Sequence, residues 1–173
     1  MKRSLMSFLV IAGLVTPVLA QTAEPQSFEA AIAGGKGEPI GKLMIRGGPK
    51  VTLVRIAIDA GGLSPGWHGL HFHAVGDCSD PGAFKLSMGH VNHGDSKHGL
   101  LNPDGPDDGD LPNIFANADG SAYAEVTTAL LLTGDNGLKD ADGTALVIHA
   151  GEDDQTSQPI GNAGARVGCA VVK

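Results

Sequence analysis

The most constraining feature of this chain is an alternation of apolar and polar residues with a period of two, which recurs along most of its length. Such alternation places successive side chains on opposite faces of a β-strand, and no segment keeps a helical stripe over three turns. The predicted strands lie at residues 28–32, 42–46, 54–58, 67–75, 114–118, 122–126, 145–150 and 166–172. Asp119 and Gly120 predict a hairpin turn between two of them. About eight short strands indicate an all-β fold, an antiparallel sandwich or barrel.

Two segments interrupt this alternation, residues 76–112 and residues 151–165. A segment as long as 76–112 without its own strand or helix pattern is uncommon inside a compact domain and is usually functional. It contains His90, His93 and His98 together with seven aspartates. This composition suggests a loop that a metal ion orders.

Six of the seven histidines lie between residues 67 and 100. On a strand, His71 and His73 share one face while Leu70 and Phe72 share the other. Two imidazoles at this spacing can bind one ion, and imidazole suits copper and zinc. His68 has the opposite parity, which favours a structural role over a ligand role.

The charge balance excludes two classes of partner. The chain has 173 residues, a length that predicts one domain, with 19 acidic and 12 basic side chains and a formal net charge of −7. Nucleic-acid binding requires clustered Lys and Arg, and the sequence has no basic stripe. An anionic membrane surface is disfavoured for the same reason.

The first twenty residues have the pattern of a cleavable signal peptide. Lys2 and Arg3 precede an apolar run that is too short to span a bilayer, and Val18 and Ala20 are acceptable to a signal peptidase. We predict a mature domain of residues 21–173 with a net charge of about −9, since residues 1–20 contain two basic side chains and no acidic one. The mature protein would be periplasmic or secreted, with no membrane association.

The chain contains two cysteines, Cys78 and Cys169. In an exported protein they indicate one disulfide. Closing a loop of 91 residues is expected to contribute roughly 4 to 5 kcal/mol in the chain-entropy model.

A series of motifs resembles one known family, the exported bacterial copper/zinc superoxide dismutases. The motifs are Gly66-Trp67-His68-Gly69-Leu70-His71-Phe72-His73, Gly89-His90-Val91-Asn92, His98-Gly99-Leu100-Leu101-Asn102-Pro103, Gly109-Asp110-Leu111-Pro112-Asn113, Val147-Ile148-His149 and Gly161-Asn162-Ala163-Gly164-Ala165-Arg166, followed by Cys169. Their order and spacing are specific and cover most of residues 21–173.

The resemblance implies an eight-stranded antiparallel Greek-key barrel or sandwich, immunoglobulin-like, with two long functional loops. It implies dismutation of superoxide by copper cycling between Cu(II) and Cu(I), with His90 and Arg166 as the catalytic residues and Cys78–Cys169 as the family disulfide. Asp153 matches a carboxylate that links a copper ligand to a zinc ligand. The implied copper ligands are His71, His73, His90 and His149, and the implied zinc ligands include His90, His98 and Asp110.

The departure from the family lies in the zinc site. Asp107 stands where the family usually has its third zinc histidine, nine positions after His98. Zinc could be held by two histidines and two aspartates, held through water, or held weakly. Asp108 and His93 are alternative stand-ins, although a solvent-exposed His93 is the favoured interpretation. We hypothesise intact copper binding and reduced zinc affinity.

The sequence leaves two alternatives to the enzyme. A periplasmic copper-binding or copper-delivery module without turnover would have less need of His90 and Arg166, and both are present. A purely structural adhesion sandwich does not explain the histidine spacing. The resemblance is compatible with either a monomer or a homodimer.

Overall fold

The computed structural model describes residues 26–173, which form nine β-strands and one short 3₁₀ helix at Lys85–Ser87. The strands are β1 (Gln26–Gly34), β2 (Pro39–Gly47), β3 (Thr52–Ile58), β4 (Gly66–His68), β5 (Leu70–His73), β6 (Ile114–Ala116), β7 (Ala122–Thr128), β8 (Thr144–His149) and β9 (Arg166–Val172). The predicted signal peptide, residues 1–20, lies outside the described residues. No helix within residues 26–173 has the length and hydropathy that crossing a membrane requires.

Seven strands form one curled antiparallel sheet in the order β5-β8-β9-β1-β2-β3-β7, while β4 and β6 pair with each other. Strand β4 continues into the edge strand β5, and β6 leads into the other edge strand, β7. The small sheet therefore joins the two edges of the large one and closes it into a flattened barrel. With β4 and β5 counted as one interrupted strand, the barrel has eight strands, which confirms the predicted fold class.

The apolar faces of the alternating strands pack together to form the core. The apolar residues predicted to share a face on β2 and β3 are almost completely buried, while the residues that alternate with them are exposed or half-buried. On β1, Ile32 is buried, and Phe28 and Ala30 are half-buried and pack against the core. The buried set includes Ile32, Leu43, Ile45, Val54, Ile56 and Ile58. Full burial of one such side chain stabilises the fold by about 1.5 to 3 kcal/mol, so this face outweighs any single loop contact.

The strand predicted at residues 67–75 is interrupted at Gly69, which was not expected. Gly69 donates its N–H to Gly151 O at 2.8 Å and accepts a hydrogen bond from His149 N at 2.9 Å. A Cβ at this position would lie 2.8 Å from the Cβ of Ala163 and 3.2 Å from that of Asp153. Because residues 150–165 approach the backbone here, the chain leaves the small sheet after β4 and enters the large sheet at β5.

The turn predicted at Asp119 and Gly120 forms, but its flanking strands do not make a continuous hairpin ladder. Gly120 donates to Asn117 O at 2.9 Å, and Asn117 donates to Ser121 O at 2.8 Å. Beyond the turn, β6 pairs with β4 and β7 pairs with β3. The prediction of a simple hairpin was wrong because the two strands belong to different sheets.

A third long connection, residues 129–143, was not predicted. It links β7 to β8, which are not neighbours in the sheet, so the chain must cross the barrel as in a Greek key. Leu130 and Leu132 are buried in the core and hold this connection against it.

The disulfide between Cys78 and Cys169 is present, which confirms that prediction. It ties the long loop of residues 74–113 to β9. Beneath it, Phe84 is completely buried in a small cluster with Val147 and Cys169. The loop is therefore anchored by a covalent link and an apolar side chain about six residues apart.

Candidate metal centre

Strands β5 and β8 and the long loop bring four histidines together. Strand β5 lies antiparallel to β8 and contributes His71 and His73, while His149 ends β8. His73 forms an isolated β-bridge with His90, which holds the loop against this edge of the sheet. The predicted face of β5 is observed, since Leu70 is in the core and the two histidines point away from it.

These four side chains present converging nitrogen atoms. One ring nitrogen of each is buried and has no hydrogen-bond partner: His71 Nδ1, His73 Nε2, His90 Nε2 and His149 Nε2. Ligand atoms of the four histidines lie within 4.8 Å of one another. An unpartnered buried nitrogen is costly in a folded protein, and four of them directed at one point fit a copper or zinc ion.

The second nitrogen of each ring is held by an oxygen atom, which fixes the orientation of the ring. The contacts are His71 Nε2 to Asp153 Oδ2 at 2.7 Å, His73 Nδ1 to Met88 O at 2.8 Å, His149 Nδ1 to Gly164 O at 2.9 Å, and His90 Nδ1 to Asp107 Oδ2 at 2.9 Å. Carbonyl and carboxylate oxygens only accept, so the proton of each ring lies on this nitrogen. In the neutral ring the bare nitrogen is left with its lone pair. At His90, burial alone would lower the pKa, but hydrogen bonds to Asp107 and Asp110 raise it above its ordinary value.

Burial reinforces this protonation state at three of the rings, since it also lowers the pKa of His71. It lowers the pKa of His73 to about 2 and that of His149 to about 4. Both rings are therefore neutral at physiological pH, and their lone pairs are available to a metal ion without displacing a proton.

A second group of possible ligand atoms adjoins the first and comprises His71, His90, His98 and Asp110. His98 Nδ1 lies 2.6 Å from Asp110 Oδ1, and His90 Nδ1 lies 3.6 Å from the same oxygen. Burial alone would lower the pKa of His98, but hydrogen bonds to Asp110 and Asp153 raise it to about 10. This group mixes imidazole and carboxylate ligands, which suits zinc.

Asp107, a zinc ligand in the sequence-based prediction, lies beside this second group and is 6% exposed. Its Oδ2 contacts His90 Nδ1, while its Oδ1 accepts a hydrogen bond from Gly109 N at 3.0 Å. The two alternatives lie elsewhere: Asp108 Oδ2 accepts from His93 N at 2.7 Å and lies 3.2 Å from His93 Nδ1, and both side chains are exposed. Asp107 is thus the residue of the three that reaches the histidine cluster.

Asp153 connects the two groups. Its Oδ2 accepts from His71 Nε2, and its Oδ1 lies 3.2 Å from His98 Nε2. Burial alone would raise the pKa of this carboxyl, but the hydrogen bonds from His71 and His98 hold it below its ordinary value. Asp153 is therefore an ionised acceptor that orients one histidine of each group.

Arg166 lies at the start of β9 and is held by the long loop. Its Nη1 donates to Phe84 O at 2.6 Å and to Ser87 Oγ at 3.1 Å, and its Nη2 donates to Met88 O at 2.7 Å. Met88 O is also the acceptor for His73. The guanidinium is therefore fixed relative to the histidine cluster through one shared carbonyl.

A cavity of about 300 Å³ opens onto this cluster, and His73, His90, His98 and Arg166 contribute to its lining. Among the described residues that line it, Arg166 is the one arginine, and no lysine takes part. Asp107 also lines the cavity, with its Oδ2 turned to His90 Nδ1. A small anion entering the cavity would meet the positive charge of Arg166 beside the bare nitrogens.

His68 has a structural position, as its strand parity predicted. It is 1% exposed, with Nδ1 2.7 Å from His149 O and Nε2 2.8 Å from Ser64 O. It therefore supports the backbone of a cluster histidine and does not face the cluster.

Gln158 was missed by the sequence analysis. Its side chain accepts a hydrogen bond from His98 N at 3.1 Å and donates to His98 O at 2.8 Å. An exposed glutamine in a polar loop carries no pattern that distinguishes it from a solvated residue, so no sequence signal pointed to this contact.

Comparison with known proteins agrees with this geometry. A family model described as copper/zinc superoxide dismutase (SODC) matches residues 40–172. The chain is 47% identical over 152 residues to the Superoxide dismutase (Cu-Zn) of Caulobacter vibrioides, which covers 85% of this chain and 86% of that protein. It is 38% identical over 168 residues to the Superoxide dismutase (Cu-Zn) 2 of Aquifex aeolicus, covering 95% of this chain and 96% of that one.

Solved structures give the same result. The fold is similar to that of a SOD-like protein from Bacillus subtilis, with a TM-score of 0.78, 29% identity, and coverage of 84% of this chain and 97% of that chain. It is also similar to the Cu/Zn superoxide dismutase from Brucella abortus, with a TM-score of 0.68, 27% identity, and coverage of 86% and 100%. The family model matches well over half of the sequence, and the matched residues 40–172 include the cluster histidines, so this chain belongs to the copper/zinc superoxide dismutase family.

Proposed function

We propose that this protein converts two superoxide ions and two protons into one molecule of oxygen and one of hydrogen peroxide. The observation that carries the proposal is the convergence of four bare histidine nitrogens next to a cavity that Arg166 also lines. The reaction needs a one-electron redox centre, an anion-binding group and a proton donor. This chain has a candidate residue for each task.

The copper ligands are proposed to be His71 through Nδ1 and His73, His90 and His149 through Nε2. What supports this assignment is that these atoms are unpartnered and that the opposite nitrogen of each ring is held by an oxygen. Copper, when bound, supplies the electron transfer by cycling between Cu(II) and Cu(I). The protein supplies the ligand geometry, the proton and the local field.

The zinc ligands are proposed to be His90 and His98 through Nδ1, Asp110 through Oδ1 and Asp107 through Oδ2. Asp107 has a shorter reach than the histidine usual at this position and adds a negative charge. We therefore propose that zinc is bound more weakly than copper. Dialysis of the fully loaded protein against a mild chelator should release zinc first, and equal, tight retention of both metals would contradict this.

Arg166 and His90 are proposed to act on the substrate. The Arg166 guanidinium attracts and orients the anion, a task made harder by a formal net charge of −7 on the chain. Charges within about 8 Å act most strongly at physiological salt, so one fixed arginine at the cavity can outweigh distant carboxylates. His90 Nε2 is the atom proposed to hold a proton and deliver it to the peroxide product.

The compartment and assembly are also proposals. We propose cleavage of a signal peptide after about Ala20, a periplasmic or secreted mature protein, and a monomer or homodimer. The disulfide supports an oxidising compartment, because such bonds are rare in a reducing cytosol. Amino-terminal sequencing of the exported protein would test the cleavage site, and sedimentation would test the assembly.

One experiment tests the central proposal. Metal content and superoxide decay are measured on the same purified protein, with and without copper, for the wild type, His149→Ala and His93→Ala. We expect copper-dependent decay in the wild type, loss of it in His149→Ala, and unchanged decay in His93→Ala, which alters an exposed histidine of the long loop. Bound copper without decay would instead favour a copper carrier.

A further inference from the structure

We infer that Asp107 is a positioning residue for His90, and that the four-histidine site consequently binds copper fully without a second metal ion. This inference rests on the proposed copper site. It goes beyond that site because it gives Asp107 a role when zinc is absent and makes copper binding independent of zinc.

The argument starts from what the four cluster histidines share. Each has one bare nitrogen directed into the cluster and one nitrogen held by an oxygen acceptor at 2.7 to 2.9 Å. In proteins, an acceptor at the far nitrogen fixes both the tautomer and the orientation of a metal-ligating ring, and losing it typically weakens metal binding 10- to 100-fold.

The acceptor at the far nitrogen matters most for the ring of His90. If His90 also bound zinc through Nδ1, as proposed, that ion would orient the ring for copper at Nε2. In this chain the Nδ1–H already donates to Asp107 Oδ2 at 2.9 Å. A neutral imidazole carries one N–H, so this hydrogen bond leaves the lone pair on Nε2, where copper binding requires it.

Asp107 is held in place by the protein itself. Its side chain is 5% exposed, its Oδ1 accepts from Gly109 N at 3.0 Å, and its own N donates to Asp110 Oδ2 at 3.0 Å. These contacts fix one carboxylate oxygen and the backbone, and they leave Oδ2 directed at His90. The acceptor is thus preorganised by backbone hydrogen bonds.

The other nearby carboxylate does not perform this task. Asp110 Oδ1 is 3.6 Å from His90 Nδ1, beyond hydrogen-bond distance, and it is engaged with His98 at 2.6 Å. Asp110 Oδ2 accepts from Gly99 N and Asp107 N. Asp107 is therefore the residue whose loss would leave the His90 ring without an acceptor.

The test measures the Kd of Cu(II) by competition with a chelator of known affinity, on protein stripped of metal and given one equivalent of copper. Four proteins are compared: the wild type, Asp107→Ala, Asp107→Asn and Asp104→Ala. The last is the matched control, since it removes an exposed carboxylate from the same loop. The Cu(II) electron paramagnetic resonance spectrum of each protein reports whether four nitrogens bind the ion.

We expect wild-type copper affinity to change by less than tenfold when saturating zinc is added. Asp107→Ala should weaken copper binding at least tenfold and alter the spectrum, Asp104→Ala should behave as wild type, and Asp107→Asn should recover most of the affinity because its amide oxygen can accept from Nδ1–H. A smaller loss in Asp107→Ala, or a tenfold or greater gain from zinc, would overturn the inference.

Two further measurements keep the outcome interpretable. Thermal unfolding of each metal-free protein shows whether the variant folds, and Asp107→Leu, which keeps the branched side-chain shape without an acceptor, replaces Asp107→Ala if that variant does not. Superoxide decay is recorded separately. Tight, zinc-independent copper binding without decay would refute the proposed function while leaving the inference intact.

Discussion

Asp153 accepts a hydrogen bond from His71, with 2.7 Å between Oδ2 and Nε2, and both side chains are completely buried. The second carboxylate oxygen reaches His98 at 3.2 Å. One buried carboxylate thus orients one histidine ring in each of the two ligand groups. Through Asp153, a change at one group can be transmitted to the other.

Replacement of Asp153 by alanine should therefore weaken the binding of both metals. Loss of the acceptor leaves His71 Nε2 buried and unpaired, which costs about 1 to 3 kcal/mol of folding free energy. It also frees the ring, so copper affinity should fall 10- to 100-fold. Chelator competition and urea unfolding measure the two effects. Glu152→Ala, an exposed neighbour, is the control, and unchanged copper affinity in Asp153→Ala would contradict the linking role.

Replacement of Arg166 by alanine should lower kcat/KM for superoxide about tenfold at low ionic strength, because steering by a local positive charge acts mainly on the association rate. Added salt should slow the wild type and affect the variant much less. Arg166→Lys keeps the charge but loses the forked contact with Phe84 O and Met88 O, so it should recover only part of the rate.

The control for Arg166 is Arg46→Ala, which removes the same charge from an exposed position on β2. Stopped-flow decay of superoxide over a range of salt concentrations provides the rates. If Arg166→Ala and Arg46→Ala gave the same rate and the same salt dependence, net charge alone would account for the effect and Arg166 would have no local role.

The metal-free protein should be most stable near pH 6.5. Burial lowers the pKa of His149 to about 4 and that of His73 to about 2, so below pH 6.5 the unfolded chain binds protons that the folded chain does not. Stability then falls as the pH falls. His98, raised to about 10 by its two aspartates, acts in the opposite sense, and its contribution is lost as the pH rises from 6.5 to 10.

Each of these groups contributes a slope of up to about 1.4 kcal/mol per pH unit within its window. Urea unfolding between pH 4.5 and 9 on stripped protein measures the profile. Addition of copper should raise the free energy of unfolding and steepen the acid limb, since protons compete with the metal for the same nitrogens and weaken its binding as the pH falls. A constant free energy of unfolding between pH 4.5 and 6.5 would show that these rings are not held neutral.

The residues that the sequence predicted best are those whose positions follow from strand geometry. His71 and His73 share a face, and Leu70 and Phe72 share the other, because side chains alternate on any strand. The burial of the apolar residues of β2 and β3 follows from the same rule. These features depend on neighbouring residues in the chain, so a sequence pattern is sufficient to predict them.

The features that escaped prediction depend on contacts between distant segments. The interruption at Gly69 exists because residues 150–165 approach its backbone, and the crossing segment 129–143 exists because β7 and β8 are separated in the sheet. The acceptors of Arg166 include the backbone carbonyls of Phe84 and Met88, which any residue type could supply. None of these has a local pattern.

The last prediction concerns the disulfide between Cys78 and Cys169. Reduction should lower the free energy of unfolding of the metal-free protein by about 4 kcal/mol, since the bond closes a loop of 91 residues. It should also loosen the loop whose carbonyls hold Arg166, so in loaded protein the Cys78→Ser/Cys169→Ser variant should show a weaker salt dependence of superoxide decay. That variant should unfold identically in oxidising and reducing buffers, whereas the wild type should not. A difference below 1 kcal/mol for the wild type would mean that the apolar anchor at Phe84 holds the loop without the covalent link.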